Sequence, residues 1–412
     1  MRILHTADWH IGQTLNGWTR EAEHIQWLES LSDVIVEQEI DVMVVSGDVY
    51  DGINPSGESQ RILYRALRRC KERRPSLIII KTSGNHDPAG RLEAPSPILE
   101  SLDVHVVATV RRAGEEIDAA QHMIPLPGPD GEAAAWVCAI PFLRAADLPG
   151  LSFAAQEGRG SPIVEAARRF HLAMARGARD IAGDLPIIAM GHLHCHGASE
   201  STHESGSAER RILIGGEHAL PEDVFPEAFD YVALGHLHRP QTLGGGRIRY
   251  SGSCFPLSAA EMTYEHGVTI IDLDETGLTH RHHPIPRPAA VLRLPEPGAG
   301  PMSLEVFEEK LGDLDLDPDL PKNLQPFIYV SLEATGPASV LLAEAEKLLD
   351  AMPLRPAAMR VRRVGTEEDR PAPVSLGDTT PEDLFRQAFV KANVTEPEEH
   401  HIAAFREAMV GE

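Results

Sequence analysis

The N-terminal part of the chain alternates short apolar runs with longer stretches in which apolar residues recur at helical spacing. The short runs are typical of strands buried in a parallel sheet, and the longer stretches are typical of amphipathic helices that cover such a sheet. In chain order the predicted segments are strand 2–6, helix 21–38, strand 41–45, helix 59–73 and strand 76–81. This β-α-β-α-β order predicts an α/β domain whose site lies at the carboxyl ends of its strands.

The next region also alternates, but its apolar runs are separated by longer polar loops. We predict strands at 104–110, 134–140, 186–190, 231–235, 247–250 and 267–273, a helix at 162–176 and an irregular glycine-rich insertion at 145–162. A proline-rich segment at 284–288 then interrupts the pattern, as expected at a domain boundary. We therefore place a first domain at residues 1–283.

Beyond this boundary a shorter alternation predicts a second, smaller domain. Its segments are strand 289–294, helix 303–314, strand 326–334, helix 339–352 and strand 357–364. We interpret residues 284–365 as a small α+β domain and the polar, proline-containing residues 366–379 as a linker. Residues 380–412 are predicted to be helical, because Thr380-Pro381 followed by acidic residues is a helix start signal.

The C-terminal helical segment carries two apolar stripes. They consist of Leu384, Phe385, Ala388 and Phe389, and of Ile402, Phe405 and Met409. Helices this short are marginal alone, and exposed stripes would favour aggregation. Either the segment folds back on the body of the protein or it docks on a partner.

Polar residues with metal-binding chemistry follow five of the predicted strands. They are Asp8, His10, Asp48, Asn85, His86, His192, His236 and His238. Residues two apart on a strand share a face, so His236 and His238 point the same way. One such pair is as compatible with packing or solvated histidines as with a ligand pair, but its repetition at several strand ends favours a metal site. At 192–196 three histidines alternate, and spacing does not say which of His192, His194 and His196 binds.

Carboxylates, a carboxamide oxygen and imidazoles suit borderline-hard divalent ions such as Mn²⁺, Fe²⁺ or Zn²⁺. Cys195 is a possible thiolate ligand, although a buried structural cysteine is the favoured interpretation. The donors are too numerous for one ion, whereas two ions about 3.5–4 Å apart and bridged by a carboxylate would use them all.

Composition narrows the class of protein. The 412 residues carry a net charge of −24, which argues against a protein that coats nucleic acid by bulk positive charge. Four widely spaced cysteines without a CxxC motif are typical of a reduced, intracellular protein. The sequence shows neither an apolar leader nor a membrane-spanning run, so the cytoplasm is the expected location.

Five motifs together resemble those of the calcineurin-like metallophosphoesterases. They are Asp8-X-His10, Gly47-Asp48-X-X-Asp51, Gly84-Asn85-His86-Asp87, Gly191-His192 and Gly235-His236-X-His238. The stretches 5–13, 233–241 and 250–253 are similar to a finer group, the SbcD nuclease subfamily. The resemblance implies a two-sheet α/β sandwich flanked by helices, a DNA-contacting capping domain at 284–365 and a partner-binding C-terminal segment.

The resemblance also implies a role for each candidate residue. It assigns Asp8, His10 and His238 to one metal, and Asn85, His192 and His236 to the other, with Asp48 as the bridge. It makes His86 a catalytic histidine that acts on the scissile phosphate without binding metal. Asp87 is expected to orient His86.

The implied activity is that of a Mn²⁺-dependent DNA nuclease with double-strand 3′–5′ exonuclease and single-strand or hairpin endonuclease activity. Its implied partners are DNA and an SbcC-like, SMC-type ATPase, with two copies of this chain in a heterotetramer. Two alternatives are a phosphoesterase acting on small phosphodiesters or phosphoproteins, and an inactive scaffold of the same fold. A scaffold is expected to lack several ligands, whereas all seven are present here.

Overall fold

The computed structural model describes residues 1–151, 161–198, 219–334 and 336–362, together with Phe385, Phe389, Pro397 and residues 400–402. The strands of this part are β1 (Arg2–Thr6), β2 (Thr14–Leu15), β3 (Trp18–Thr19), β4 (Val42–Ser46), β5 (Ile78–Thr82), β6 (Val104–Val107), β7 (Arg112–Ala113), β8 (Glu116–Ile117), β9 (Met123–Pro127), β10 (Ala133–Cys138), β11 (Ile187–His192), β12 (Tyr231–Gly235), β13 (Gln241–Leu243), β14 (Ile248–Tyr250), β15 (Gly267–Asp274), β16 (Gly277–Pro284), β17 (Val291–Leu294), β18 (Phe327–Glu333) and β19 (Arg355–Arg362). The α-helices are α1 (Glu21–Glu37), α2 (Gly57–Arg73), α3 (Ala89–Glu93), α4 (Ser96–Leu99), α5 (Pro162–Ala182), α6 (Leu304–Gly312) and α7 (Ala338–Asp350).

Two six-stranded sheets form the body of the protein. The first has the order β16-β15-β1-β4-β5-β6 and the second the order β13-β14-β12-β11-β10-β9. Their inner faces pack against each other through apolar side chains such as Val44 of β4 and Ile188 of β11. Helices α1 and α2 cover the outer face of the first sheet, and α5 covers that of the second. This confirms the predicted two-sheet sandwich flanked by helices.

The central strands read as continuous apolar runs because both of their faces are covered. All five residues of β4 are buried, and β4 pairs in parallel with β1 on one side and β5 on the other. In the second sheet β11 and β12 are also parallel. The carboxyl ends of these five strands therefore lie at one edge of the sandwich.

Three strands of the two six-stranded sheets were not predicted: β9, β13 and β16. Strand β16 pairs antiparallel with β15, although the predicted body sheet ended at residue 273. Its sequence, Gly-Leu-Thr-His-Arg-His-His-Pro, is polar because an edge strand with half-exposed residues does not need an apolar run. Strand β9 contains two prolines, which an edge strand tolerates but which are not typical of a central strand.

The smaller unit consists of three parallel strands in the order β17-β18-β19, with α6 and α7 as the connections. The predicted α+β segments are thus arranged as β-α-β-α-β. The helices pack on one face of the sheet around Phe307, Ile328 and Leu349. This face is apolar because the two helices cover it.

The opposite face of the small sheet contacts the body. Trp18 donates from Nε1 to the Pro356 carbonyl at 2.9 Å. The guanidinium of Arg355 lies 3.7 Å from the centre of the Phe327 ring and 3.2 Å from Glu23 of α1, with Arg355 and Glu23 fully buried. The small unit is therefore anchored by a buried ion pair as well as by apolar contact.

Only part of the predicted C-terminal segment is described. The rings of Phe385 and Phe389 lie 5.8 Å apart, and Phe389 lies 4.6 Å from the ring of His401. The side chain of Ile402 is buried. The two predicted helical stretches therefore contact each other. Leu384, Phe405, Met409 and the linker 366–379 lie outside the described residues.

No helix in the described part of the chain has the length and apolar character that crossing a membrane requires.

Candidate metal centre

The seven predicted ligands come together at the edge where the parallel strands end. Asp8 and His10 follow β1, Asp48 follows β4 and Asn85 follows β5, whereas His192 ends β11 and His236 and His238 follow β12. The first sheet supplies every oxygen donor of this set, and the second sheet supplies only imidazoles. The site therefore lies between the two sheets and needs both of them.

Asp48 lies at the centre of this group. Its Oδ2 is 3.2 Å from Nε2 of His192 and 3.6 Å from Nε2 of His10. Its Oδ1 accepts a hydrogen bond from the backbone N–H of His86 at 2.9 Å. One carboxylate oxygen is thus shared by histidines from both sheets, as a bridging ligand requires.

Asn85 and Asp8 both contact histidines of the second sheet. The carboxamide Oδ1 of Asn85 lies 3.0 Å from Nε2 of His192 and 3.2 Å from Nδ1 of His236. Asp8 accepts the backbone N–H of His236 at 2.9 and 3.1 Å. Three sets of side chains have ligand atoms within 4.8 Å of one another: Asp8, His10 and His238; His10, Asp48 and His86; and Asp8, Asp48 and His192.

The donor set fits a divalent metal. Nε2 of His10 is buried and has no hydrogen-bond partner among the described residues, although it faces Asp48. A buried nitrogen of this kind needs a partner, and a cation satisfies both it and the neighbouring carboxylates. Oxygen and imidazole donors without thiolate are the set that Mn²⁺ and related ions accept.

The backbone is strained at the same residues. Asp8, His10, Asp48 and His236 have φ values of 52°, 47°, 48° and 97°. Positive φ is costly for residues with a side chain and persists where the surroundings hold it, most often at functional sites. The surrounding fold therefore holds these side chains in position.

One glycine lets the loops approach closely enough. A Cβ added to Gly84 would collide with the carboxylate and the backbone nitrogen of Asp48. Glycine at this position is required by the contact between the loops after β4 and β5.

The charges of the buried groups complement each other. Burial raises the pKa of the Asp48 carboxyl, but His192 and His10 outweigh burial and hold that pKa below its usual range. Burial, together with the neighbouring His192, lowers the pKa of His236 to about 3. Burial also lowers the pKa of His192, but the Asp48 carboxylate outweighs burial and raises that pKa to about 9. Asp48 is therefore ionised beside a histidine that carries a proton, and a divalent ion would displace this proton on binding.

The chain matches the model of the calcineurin-like phosphoesterases over residues 1–240. It is 51% identical over 394 residues to the SbcD subunit of nuclease SbcCD from Rhodobacter capsulatus, covering 94% of each chain. It is 36% identical to the protein of the same name from Escherichia coli, with 71% of each chain covered, and 32% identical to that of Bacillus subtilis, with 66% covered.

The chain belongs to the SbcD family of calcineurin-like phosphoesterases. It is therefore a metal-dependent hydrolase of phosphodiester bonds. The cluster between the two sheets has the donor atoms that such an enzyme needs to bind metal.

The three alternating histidines have different positions in this family member. His192 is buried inside the cluster, whereas His194 is half-buried with its ring 6.4 Å from that of His236, and His196 is exposed. Among the described residues, the sets of potential ligands contain His192 but neither His194 nor His196. Spacing left open which of the three histidines binds metal, and the burial of the side chains favours His192.

Cys195 belongs to the core that α5 covers. Its side chain is fully buried there, and burial raises the pKa of its thiol to about 12. A thiol with so high a pKa stays protonated near neutral pH, whereas a metal ligand has to be the thiolate. The structural interpretation of this cysteine therefore agrees with its position.

The predicted contact between Asp87 and His86 is not formed. Asp87 accepts the backbone N–H groups of Gly84, Val49 and Tyr50 at 2.8, 3.1 and 2.9 Å, and is buried. Nδ1 of His86 lies instead 2.8 Å from the carbonyl oxygen of Asp51. Asp87 joins the loops after β4 and β5 because it accepts three backbone N–H groups from them. Its carboxylate is therefore used by the backbone, although His86 is its neighbour in sequence.

Two further side chains reach the cluster. Asp51 Oδ1 lies 3.2 Å from Nδ1 of His10, and Glu261 Oε1 lies 3.1 Å from Nδ1 of His238. Asp51 belongs to a motif visible in the sequence, although it received no role there. Glu261 lies 23 residues beyond His238 in an irregular segment, and no local pattern marks it.

Proposed function

We propose that this chain is a Mn²⁺-dependent DNA nuclease that acts with an SbcC-like ATPase in DNA repair and recombination. The observation that carries the proposal is the Asp48 oxygen shared by His10 and His192 in a chain so similar to the SbcD subunit of nuclease SbcCD. The resemblance to these nucleases suggests the substrate class, DNA, and the partner. The cytoplasm remains the expected location.

The ligand assignment that we propose is the one implied by the family resemblance, and the cluster of Asp8, His10 and His238 supports part of it. Asp8, His10 and His238 would hold one ion, Asn85, His192 and His236 the other, and Asp48 would bridge them. Asn85 supports this division because its oxygen lies between His192 and His236. Two divalent ions in such a site lower the pKa of a water and take up negative charge on the phosphoryl oxygens.

His86 is proposed to act on the phosphate. Its Nδ1 donates to the Asp51 carbonyl, which leaves Nε2 as the nitrogen that can hold or release a proton. Its ring packs edge-on to that of His10 at 4.8 Å, so this nitrogen is close to the reaction centre. We infer that Nε2 of His86 stabilises charge on the phosphate or protonates the leaving oxygen.

The proposed activities are 3′–5′ cleavage of duplex ends and endonucleolytic cleavage of single strands and hairpins. The small unit at 284–365 is proposed to contact DNA, as the resemblance to the SbcD nucleases implies, and the Arg355–Glu23 pair would hold it against the body. Linear duplex and hairpin DNA should be cut in Mn²⁺, less well in Mg²⁺, and more extensively when the ATPase is added. Hydrolysis of small phosphodiesters without DNA cleavage, alone or with the ATPase, would contradict the proposal.

The C-terminal segment is proposed to dock on the ATPase. The contact of Phe389 with His401 brings a residue of each predicted stretch together, which supports a docking unit that uses both stretches. We retain Leu384, Phe385, Phe389, Ile402, Phe405 and Met409 as the proposed partner-binding residues.

A homodimer within a heterotetramer is proposed for the assembled enzyme. Ile53 and Ile98 are 67% and 71% exposed, and Leu102 is 45% exposed. Arg91 of α3 donates to Asn54, so the loop containing Ile53 adjoins the segment of α3 and α4. Ile98→Asp should shift the protein towards monomer in sedimentation velocity, whereas Val340→Asp, at an exposed valine of α7, should not. If Ile98→Asp stayed dimeric, the exposed surface of Ile53, Ile98 and Leu102 would be excluded as the dimer interface.

A further inference from the structure

Glu261 is a carboxylate that contacts a predicted ligand without being one itself. It lies in the short 3₁₀ turn Ala259–Glu261, between β14 and β15, and has no exposed surface. Its Oε1 is 3.1 Å from Nδ1 of His238. His238 has a ligand atom within 4.8 Å of those of Asp8 and His10, so Glu261 contacts a member of that cluster.

The position of Glu261 is itself well determined. Its Oε2 accepts the backbone N–H of Leu257 at 2.9 Å, and its Oε1 accepts the hydroxyl of Ser258 at 3.0 Å. Its backbone carbonyl accepts the N–H of Tyr264 at 2.9 Å. A carboxylate held by this many contacts can fix the orientation of the ring it faces.

The two proposed ion positions differ in what supports their histidines. Nδ1 of His10 faces the Asp51 carboxylate at 3.2 Å, and Nδ1 of His238 faces Glu261. Nδ1 of His192 instead donates to the backbone carbonyl of Ser46 at 2.8 Å. A carboxylate behind a ligating histidine fixes its tautomer and raises its basicity more than a neutral carbonyl does.

We propose that Glu261 is a positioning residue that holds His238 for metal binding and makes the Asp8–His10–His238 position the tighter of the two. The proposal rests on the ligand assignment given above. Glu261 also adjoins Met262, which packs beside Leu15 of the body and Phe327 of the small unit.

The test is a titration of the metal-free protein with Mn²⁺. Binding is measured by calorimetry and, independently, by the electron paramagnetic resonance signal of the Mn²⁺ that stays free. Wild type should bind two ions in two resolved steps. Glu261→Gln keeps the size of the side chain and one acceptor oxygen, so the metal-free protein should stay folded. The tighter step should weaken about 10- to 100-fold, and the second step should not change.

The matched control is Glu265→Gln, the same change at an exposed glutamate four residues away. It should leave both steps unchanged. Glu261→Asp keeps the charge but shortens the reach, so its tighter step should lie between wild type and Glu261→Gln. It also decides the matter if Glu261→Gln does not fold.

Equal weakening of both steps, or unchanged binding in Glu261→Gln and Glu261→Asp, would overturn the role of Glu261. A purely structural role would lower the melting temperature of the metal-free protein without favouring one step. If wild type itself bound no Mn²⁺ and cut no DNA, the proposed function would fail instead, so the two failures can be distinguished.

Discussion

The body and the small unit are built from the same kind of parallel strands, but the predicted metal centre lies in the body. Strands β1, β4 and β5 lead into Asp8, Asp48 and Asn85, whereas β17 ends at Leu294 and runs into a proline. All residues of β4 are buried, whereas most of those of β18 alternate between buried and half-buried. In the described part of the small unit, one three-stranded sheet offers one set of strand ends and no facing sheet.

This difference shows what the chemistry requires. The oxygen donors of the first sheet become a metal centre only because the second sheet places imidazoles opposite them, and Asp48 joins the two. The small unit instead uses one face of its strands to dock on the body. Changes in the body should therefore remove chemistry, and changes beyond it should leave chemistry intact.

The largest effect is expected for Asp48→Asn. One oxygen of the Asp48 carboxylate faces both His10 and His192, and the amide of asparagine lacks its negative charge. The affinity for both ions should therefore fall, and DNA cleavage should fall below detection. Metal analysis of the purified variant checks this. Two fully occupied ions together with normal turnover would remove Asp48 from the mechanism.

His192→Ala tests the contribution of the second sheet. Its loss should empty the Asn85–His192–His236 position and leave the other ion in place. His194→Ala and His196→Ala are the matched controls, because His194 is half-buried and His196 exposed whereas His192 is buried, and both variants should keep two ions. Metal stoichiometry is the measurement, and equal losses from all three variants would leave His192 without a special role.

His86→Ala separates rate from metal binding. If Nε2 of His86 acts on the phosphate, the variant should keep two ions and lose about 10²- to 10⁴-fold in cleavage rate. His86 also lies within ligand distance of His10 and Asp48, so loss of an ion would show it to be a ligand. Single-turnover cleavage and Mn²⁺ stoichiometry of the same sample give both answers.

The smallest effect on chemistry is expected beyond the body. Deletion of residues 376–412, or Phe385→Asp with Phe389→Asp, should abolish co-elution with the ATPase in size-exclusion chromatography. Metal binding and intrinsic cleavage should stay at the wild-type level, because no predicted ligand lies beyond His238. Unimpaired co-elution would contradict docking, and a metal-free or unfolded truncation would show that the segment packs on its own body.

Local patterns in the sequence were sufficient for the central strands and the candidate ligands. A buried parallel strand needs a continuous apolar run, and a site at its end needs polar residues directly after that run. Strand and ligand can therefore be predicted together from neighbouring residues, as at 42–48. Strand β16 was missed because an edge strand needs neither an apolar run nor burial on both faces. The pattern did not predict that the three strands of the small sheet are parallel, and their pairing in the structure shows it.

Only the tertiary structure decided which groups support the ligands. Glu261 reaches His238 across 23 residues, and Asp51, not Asp87, faces His86 through its carbonyl. Such contacts depend on how loops from different strands meet in three dimensions, and no spacing along the chain encodes them. The sequence by itself determined which donors are available, and the packing of the two sheets determined which of them meet, because only that packing brings Asp48 within reach of both His10 and His192.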